Sequence, residues 1–147
     1  MTTAASTTPT SSSAPTGIRV FNVLAGITTL AVFLQAISAG IFMSFRGDDA
    51  GKPWVAMHDY VADAAVLLAV ATAIVAIVAL RRSAPGLMGV AIALVVALLA
   101  QTAIGHVIEQ VRGLVAVHVP LAFVVFGLTV WMSVRGAVVR RRIVSAG

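Results

Sequence analysis

Cysteine is absent from this chain of 147 residues. Its absence excludes disulfides, thiolate-held metals and covalent attachment of a c-type haem, which needs a C-x-x-C-H motif. Groups held by histidine stay open. Charge is nearly as scarce, at 10% of residues with five acids in all, while 60% of residues are hydrophobic. A soluble domain carries roughly a quarter charged residues and about half apolar ones, so this composition points away from water. Strict alternation of apolar and polar residues is missing too, which excludes a transmembrane β-barrel. No hydrolase triad, phosphate-cradling loop or nucleotide fingerprint occurs. The sequence therefore names no catalytic residue and leaves open whether the protein is an enzyme.

What the chain does have is four apolar runs, over residues 18–44, 55–80, 87–108 and 114–133. Each reaches the ~20 residues that an α-helix needs to cross ~30 Å of hydrocarbon. The links "RGDDAGKP", "RRSAPG" and "EQVRG" are short, and short links make sequence neighbours antiparallel. The expected fold is all-α: an integral membrane up-down-up-down four-helix bundle over residues 18–135. The opening "MTTAASTTPTSSSAPTG" (residues 1–17) has no charge and no apolar period, and reads as a disordered cytoplasmic tail. Residues 136–147 form a basic cytoplasmic tail. The first apolar run is too long for a signal-peptide core and no basic segment precedes it, so a retained anchor is expected.

Charge sets the orientation. Arg19, Arg81, Arg82, Arg135, Arg140, Arg141 and Arg142 fall at one end of such a bundle, while Asp48, Asp49, Asp59, Asp63 and Glu109 lie toward the other with Arg46, Lys52 and Arg112. Lys/Arg bias in short loops places both termini in the cytoplasm of a multi-pass protein of the cell membrane. Trp54 and Trp131 mark the two interfaces. The high pI, near 11.5, then reflects topology and contact with the anionic lipid bilayer, and nucleic acid is not an expected partner.

Four polar residues interrupt the apolar runs in a repeated order. Gln35 in helix 1 is followed by His58 near the start of helix 2; Gln101 in helix 3 is followed by His118 near the start of helix 4. A primary amide or imidazole in hydrocarbon is costly unless something meets it. In this topology helices 2 and 4 are diagonal partners and both histidines lie about one turn inside the same leaflet. At about 100° per residue, Ala62, Ala65, Ala69, Thr72 and Ala76 share the His58 face, and Ala122, Val125 and Thr129 share the His118 face. Gln35 shares its face with Thr28, Ala31 and Ala39; Gln101 shares its own with Ala97, Gly105 and the larger Leu94. Stripes of small residues ordinarily mean close helix packing. With one glutamine or histidine on each of four facing surfaces, they equally describe a lined pocket. The order of residues further suggests two repeated helical hairpins about an axis along the membrane normal.

Other polar residues fall outside this set. His106 is about 140° from Gln101 and reads as an interfacial histidine. Asp63 lies about 140° from His58 and about 40° from Asp59, on a polar flank at the outer mouth; an aspartate at that depth is a functional candidate. Pro120 stands nearly opposite His118, either as a kink or as a helix-entry proline.

"LQAISAG", "MHDYVADAAVLLAV", "LLAQTAIGH" and "VRGLVAVHVPLAFVVFGLTVWMSVR" together resemble an uncharacterised family of small four-span bacterial membrane proteins. More distantly, the arrangement is similar to one four-helix half of haem A synthase. There, histidines at the outer ends of the second and fourth helices ligate a b-type haem, which the resemblance carries onto His58 and His118. The glutamate that a catalytic half would show before the first histidine is missing from "KPWVAMH", so the resemblance implies a haem-holding half and not a porphyrin hydroxylase.

Two readings stand level. One is a b-type haem protein for electron transfer, with His58 and His118 as axial metal ligands, Gln35 and Gln101 lining the pocket or bonding propionates, and a quinone or membrane redox partner. The other is a non-enzymatic membrane accessory or assembly protein with no cofactor, whose glutamines and histidines bond helix to helix. A zinc or copper site at the outer mouth would add His106 or Asp59 to the two histidines, against the helical phase. A transporter lacks charged residues at mid-membrane. A second copy of the chain is a further open partner.

Overall fold

A computed structural model describes residues 15–45, 47–108 and 110–145. Most of the expected N-terminal tail, together with Arg46 and Glu109, lies outside the described residues. All regular structure among the described residues is helical. The long helices are α1 (Thr16–Ser44), α2 (Lys52–Val75, continued by a π-helical turn over Ala76–Leu80), α3 (Pro85–Val107) and α4 (Val115–Ser145), with single 3-10 turns at Asp49–Gly51 and Arg112–Leu114. All four spans are long and apolar enough to cross a membrane. In hydrocarbon a backbone must satisfy its own polar groups, which a helix does residue by residue.

Local chemistry sets the ends. Prolines open α2 and α3 within their first turns, where the missing N–H is no loss. The α1–α2 link turns at Gly47, whose φ of +90° lies in the left-handed region that only glycine enters freely. Asp48 then accepts the Ala50 N–H at 3.0 Å. Helix α4 runs unbroken through Pro120, and it outlasts its apolar run by several turns. The described part of the basic tail, residues 136–145, is thus all helix, because Arg is a good helix former and needs no hydrocarbon around it.

Each helix packs against its sequence neighbours, and α4 closes the ring against α1, leaving α2 and α4 on one diagonal. The interior is narrow and filled largely by small side chains. Ala25, Ala65, Ala69, Ala76, Thr28, Thr72 and Thr129 are buried alongside Phe21, Leu94, Val125 and Met132. The buried threonine hydroxyls donate to carbonyls of their own helices: Thr28 to Leu24 at 2.8 Å, Thr72 to Leu68 at 2.7 Å and Thr129 to Phe126 at 2.8 Å. Large apolar side chains point the other way. Leu30, Phe33, Leu67, Val78, Phe123 and Val134 are exposed around the outside, which suits a lipid surface and would be a liability in water.

A polar seam joins α1 to α4 near the end that carries the termini. Thr29 Oγ1 lies 2.9 Å from Ser133 Oγ and donates to the Thr129 carbonyl at 3.1 Å, while Asn22 Nδ2 donates to the Gly136 carbonyl at 3.2 Å. Gly136 makes this approach feasible, since a Cβ there would strike Asn22 Oδ1 and the Phe21 ring. Gly17 does the same against Ala79, in the π-helical turn of α2.

Candidate functional site

The four polar residues singled out by sequence meet in two pairs at the bundle end opposite the termini. Gln35 Nε2 donates to the His58 carbonyl at 2.6 Å, and Gln101 Nε2 donates to the His118 carbonyl at 3.0 Å. Each glutamine thus crosses from one helix of a hairpin to the next and uses the second lone pair of a helical carbonyl. The partners are 23 residues apart in the first hairpin and 17 in the second, yet the contact is the same. One N–H of each amide is therefore committed to bracing helices, and the second N–H of each remains open to a further acceptor.

Bonds of this kind between membrane helices contribute about 0.6 kcal/mol on average and about 1.7 kcal/mol at most. Gln35→Leu is expected to fall in that range. Gln101→Leu should cost less, because Gln101 Oε1 is buried without a partner among the described residues and the leucine removes that unsatisfied acceptor. Unfolding of both variants in mixed micelles checks the order.

The histidines are half-buried. His58 Nδ1 lies 3.2 Å from the Gln35 carbonyl and 3.1 Å from Ser38 Oγ, and Ser38 Oγ itself donates to that carbonyl at 3.0 Å. A carbonyl can only accept, so the proton sits on Nδ1 and Nε2 carries the free lone pair. Phe42 meets the ring edge-on at 5.4 Å between centroids. The His118 ring packs over Gly105, where a Cβ would stand 3.3 Å from Cε1. Its Nδ1 is buried without a hydrogen bond. Neither Nε2 has a partner among the described residues.

The remaining candidates stand apart. His106 is exposed and its Nδ1 donates to the Thr102 carbonyl of its own helix at 2.9 Å. Asp59 and Asp63 are exposed on the outside of α2. Among the described residues no three of His, Cys, Asp or Glu gather where they could hold a metal ion, so the third ligand that a zinc or copper site requires is not assembled.

The donor set and the space can be tested separately against the b-type haem that the resemblance implies. Two imidazoles on diagonal helices, each with an unengaged Nε2, suit axial ligation. The small-residue stripe does not supply the slot expected of it. Ala65, Ala69, Ala76, Leu94 and Thr129 are each 0% exposed, so no water-sized void touches them, and helix contact fills the stripe. Both histidines, nearer the mouth, are half-buried. A groove of about 230 Å³ elsewhere, lined by Ile74, Ile77, Ile92 and Val96 among others, is apolar and lies on the outside between α2 and α3.

Sequence reasoning missed Ser38, which is 1% exposed and touches the His58 ring. The signal was there: a hydroxyl three residues after Gln35 shares its side of the helix. Comparison of the chain with protein families, with curated proteins and with solved structures finds no match.

Proposed function

We propose that this is a small integral membrane protein that holds one b-type haem between α2 and α4, with His58 and His118 as its axial ligands. What supports this reading above all is His58: its Nδ1–H is engaged by the Gln35 carbonyl and Ser38, which leaves Nε2 as a lone-pair donor. Histidines that ligate metals are ordinarily held in this way through the other ring nitrogen. His118 occupies the matching place on the diagonal helix, with its backbone braced by Gln101. The resemblance to one half of haem A synthase selects the same two residues.

A haem held by two imidazoles supplies a one-electron couple without an open coordination position. The protein's part is to orient the rings, through Gln35, Ser38 and Phe42 on one side and Gly105 on the other, and to keep the bundle beneath them dry. With the basic residues of the termini and the α2–α3 link in the cytoplasm, the site lies in the outer leaflet. The chain then exchanges electrons on that face with a quinone or a membrane redox partner.

Reduced-minus-oxidised absorbance of protein purified from haem-replete cells tests the proposal. A b-type α-band that survives His106→Ala is expected, since His106 is bonded to its own helix. A folded but colourless protein would favour the second reading, an accessory or assembly protein without cofactor. The closed small-residue stripe and the two glutamine braces favour that reading, since both serve helix packing.

A further inference from the structure

We propose that Ser38 makes the two histidines unequal: it pins His58 in one tautomer and orientation, while His118, which has no such residue, is left unpinned. The two hairpins allow a controlled comparison. Each contains a glutamine bonded to the histidine carbonyl of the next helix, but only in the first does the glutamine's own carbonyl meet that histidine's Nδ1. The hairpins part at the third residue after the glutamine. In the first it is Ser38, buried, with its hydroxyl donating to the Gln35 carbonyl and 3.1 Å from His58 Nδ1. In the second it is Ile104, which offers no polar atom.

The geometry follows the chemistry. With the hydroxyl in place, carbonyl, hydroxyl and imidazole close a three-membered set of contacts at 3.0 to 3.2 Å. Without it, the His118 ring settles over Gly105 and its Nδ1 stays buried and unpartnered. A ring held by nothing at Nδ1 has no reason to prefer the Nδ1–H form, and can carry its proton on either nitrogen. The consequence for ligation rests on the haem reading above: of the two ligands, His118 is the weaker and the one that a competing small ligand displaces.

The test uses the full chain, free of haem, in lipid nanodiscs with ¹⁵N-labelled histidine, so that it does not depend on iron. Nitrogen shifts and couplings identify the tautomer of each ring. His58 should be a single Nδ1–H species, and His118 should show a several-fold greater Nε2–H population. Ser38→Ala should bring the Nε2–H form into His58, and Ile104→Ser should draw His118 toward the pure Nδ1–H form. Should Ser38→Ala fail to fold, the wild-type comparison and Ile104→Ser decide alone. A His118 signal matching that of His58, or an Ile104→Ser chain with unchanged His118, overturns the proposal. A colourless protein with unequal histidines would sink the haem reading and leave this inference intact.

Discussion

Alanine at His58 or at His118 is expected to remove the b-type α-band, each substitution alone being sufficient. The expectation follows from how little else can hold an iron here. There is no cysteine, and among the described residues no cluster of other ligands stands nearby. At metal sites, substitution of groups that merely orient a ligand costs about 10–100-fold in affinity. Loss of the ligand itself should therefore lower the haem retained through purification by about tenfold or more. His106→Ala serves as the control, because it deletes an imidazole of the same chemistry outside the pair. Added imidazole should restore part of the band in His58→Ala, where the Gln35 carbonyl and Ser38 hydroxyl remain to receive its N–H. In His118→Ala no such partner waits in hydrogen-bonding geometry, so rescue should need a higher imidazole concentration. Bands of wild-type intensity in both alanine variants would show that the iron, if any, is held elsewhere. Equal rescue would argue against the asymmetry alone.

Several of these features were legible without coordinates, for identifiable reasons. Helical phase is a local property, so the faces assigned to His58 and His118 reappear in the burial of Ala65, Ala69, Thr72, Val125 and Thr129. Short links fixed which helices are neighbours, and α2 and α4 fall on the diagonal accordingly. Whether a stripe of small residues encloses a slot or closes by contact is different in kind. Alanine permits both outcomes, and only the spacing of the helices decides. Leu94, already conspicuous among the small residues of its face, is fully buried and stands on the side of closure. The glutamine amides illustrate the same limit. Their need for partners could be read from their apolar surroundings, but which carbonyl meets them depends on interhelical distance. Least legible was the seam of Asn22, Thr29, Ser133 and Gly136, whose Asn22–Gly136 contact joins residues 114 positions apart. No periodicity within one helix can set the register between two.

That seam gives the largest expected effect on stability, and a glycine elsewhere in the same helix supplies its control. Replacing glycine by alanine inside a helix gains up to about 1 kcal/mol in propensity. At Gly127, where a Cβ meets nothing within 4 Å, Gly127→Ala should realise that gain or leave stability unchanged. At Gly136 the same methyl group would collide with Asn22 Oδ1 and stand 3.0 Å from Phe21 Cε1. Phe21 is 0% exposed and has nowhere to retreat. Asn22 can turn aside only by giving up its bond to the Gly136 carbonyl. Overpacking of this kind costs about 1–3 kcal/mol, so the clash outweighs the propensity. Gly136→Ala should lose up to about 2 kcal/mol net, leaving the two glycine variants about 1–3 kcal/mol apart in reversible unfolding from mixed micelles. Asn22→Ala should relieve part of the cost, because it removes both the colliding atom and an oxygen already buried without a partner. The double variant is then expected to be more stable than the sum of the two single changes predicts, as holds for residues that share a contact. Equal stability of the Gly127→Ala and Gly136→Ala chains would mean that α1 and α4 do not approach as closely as this seam requires.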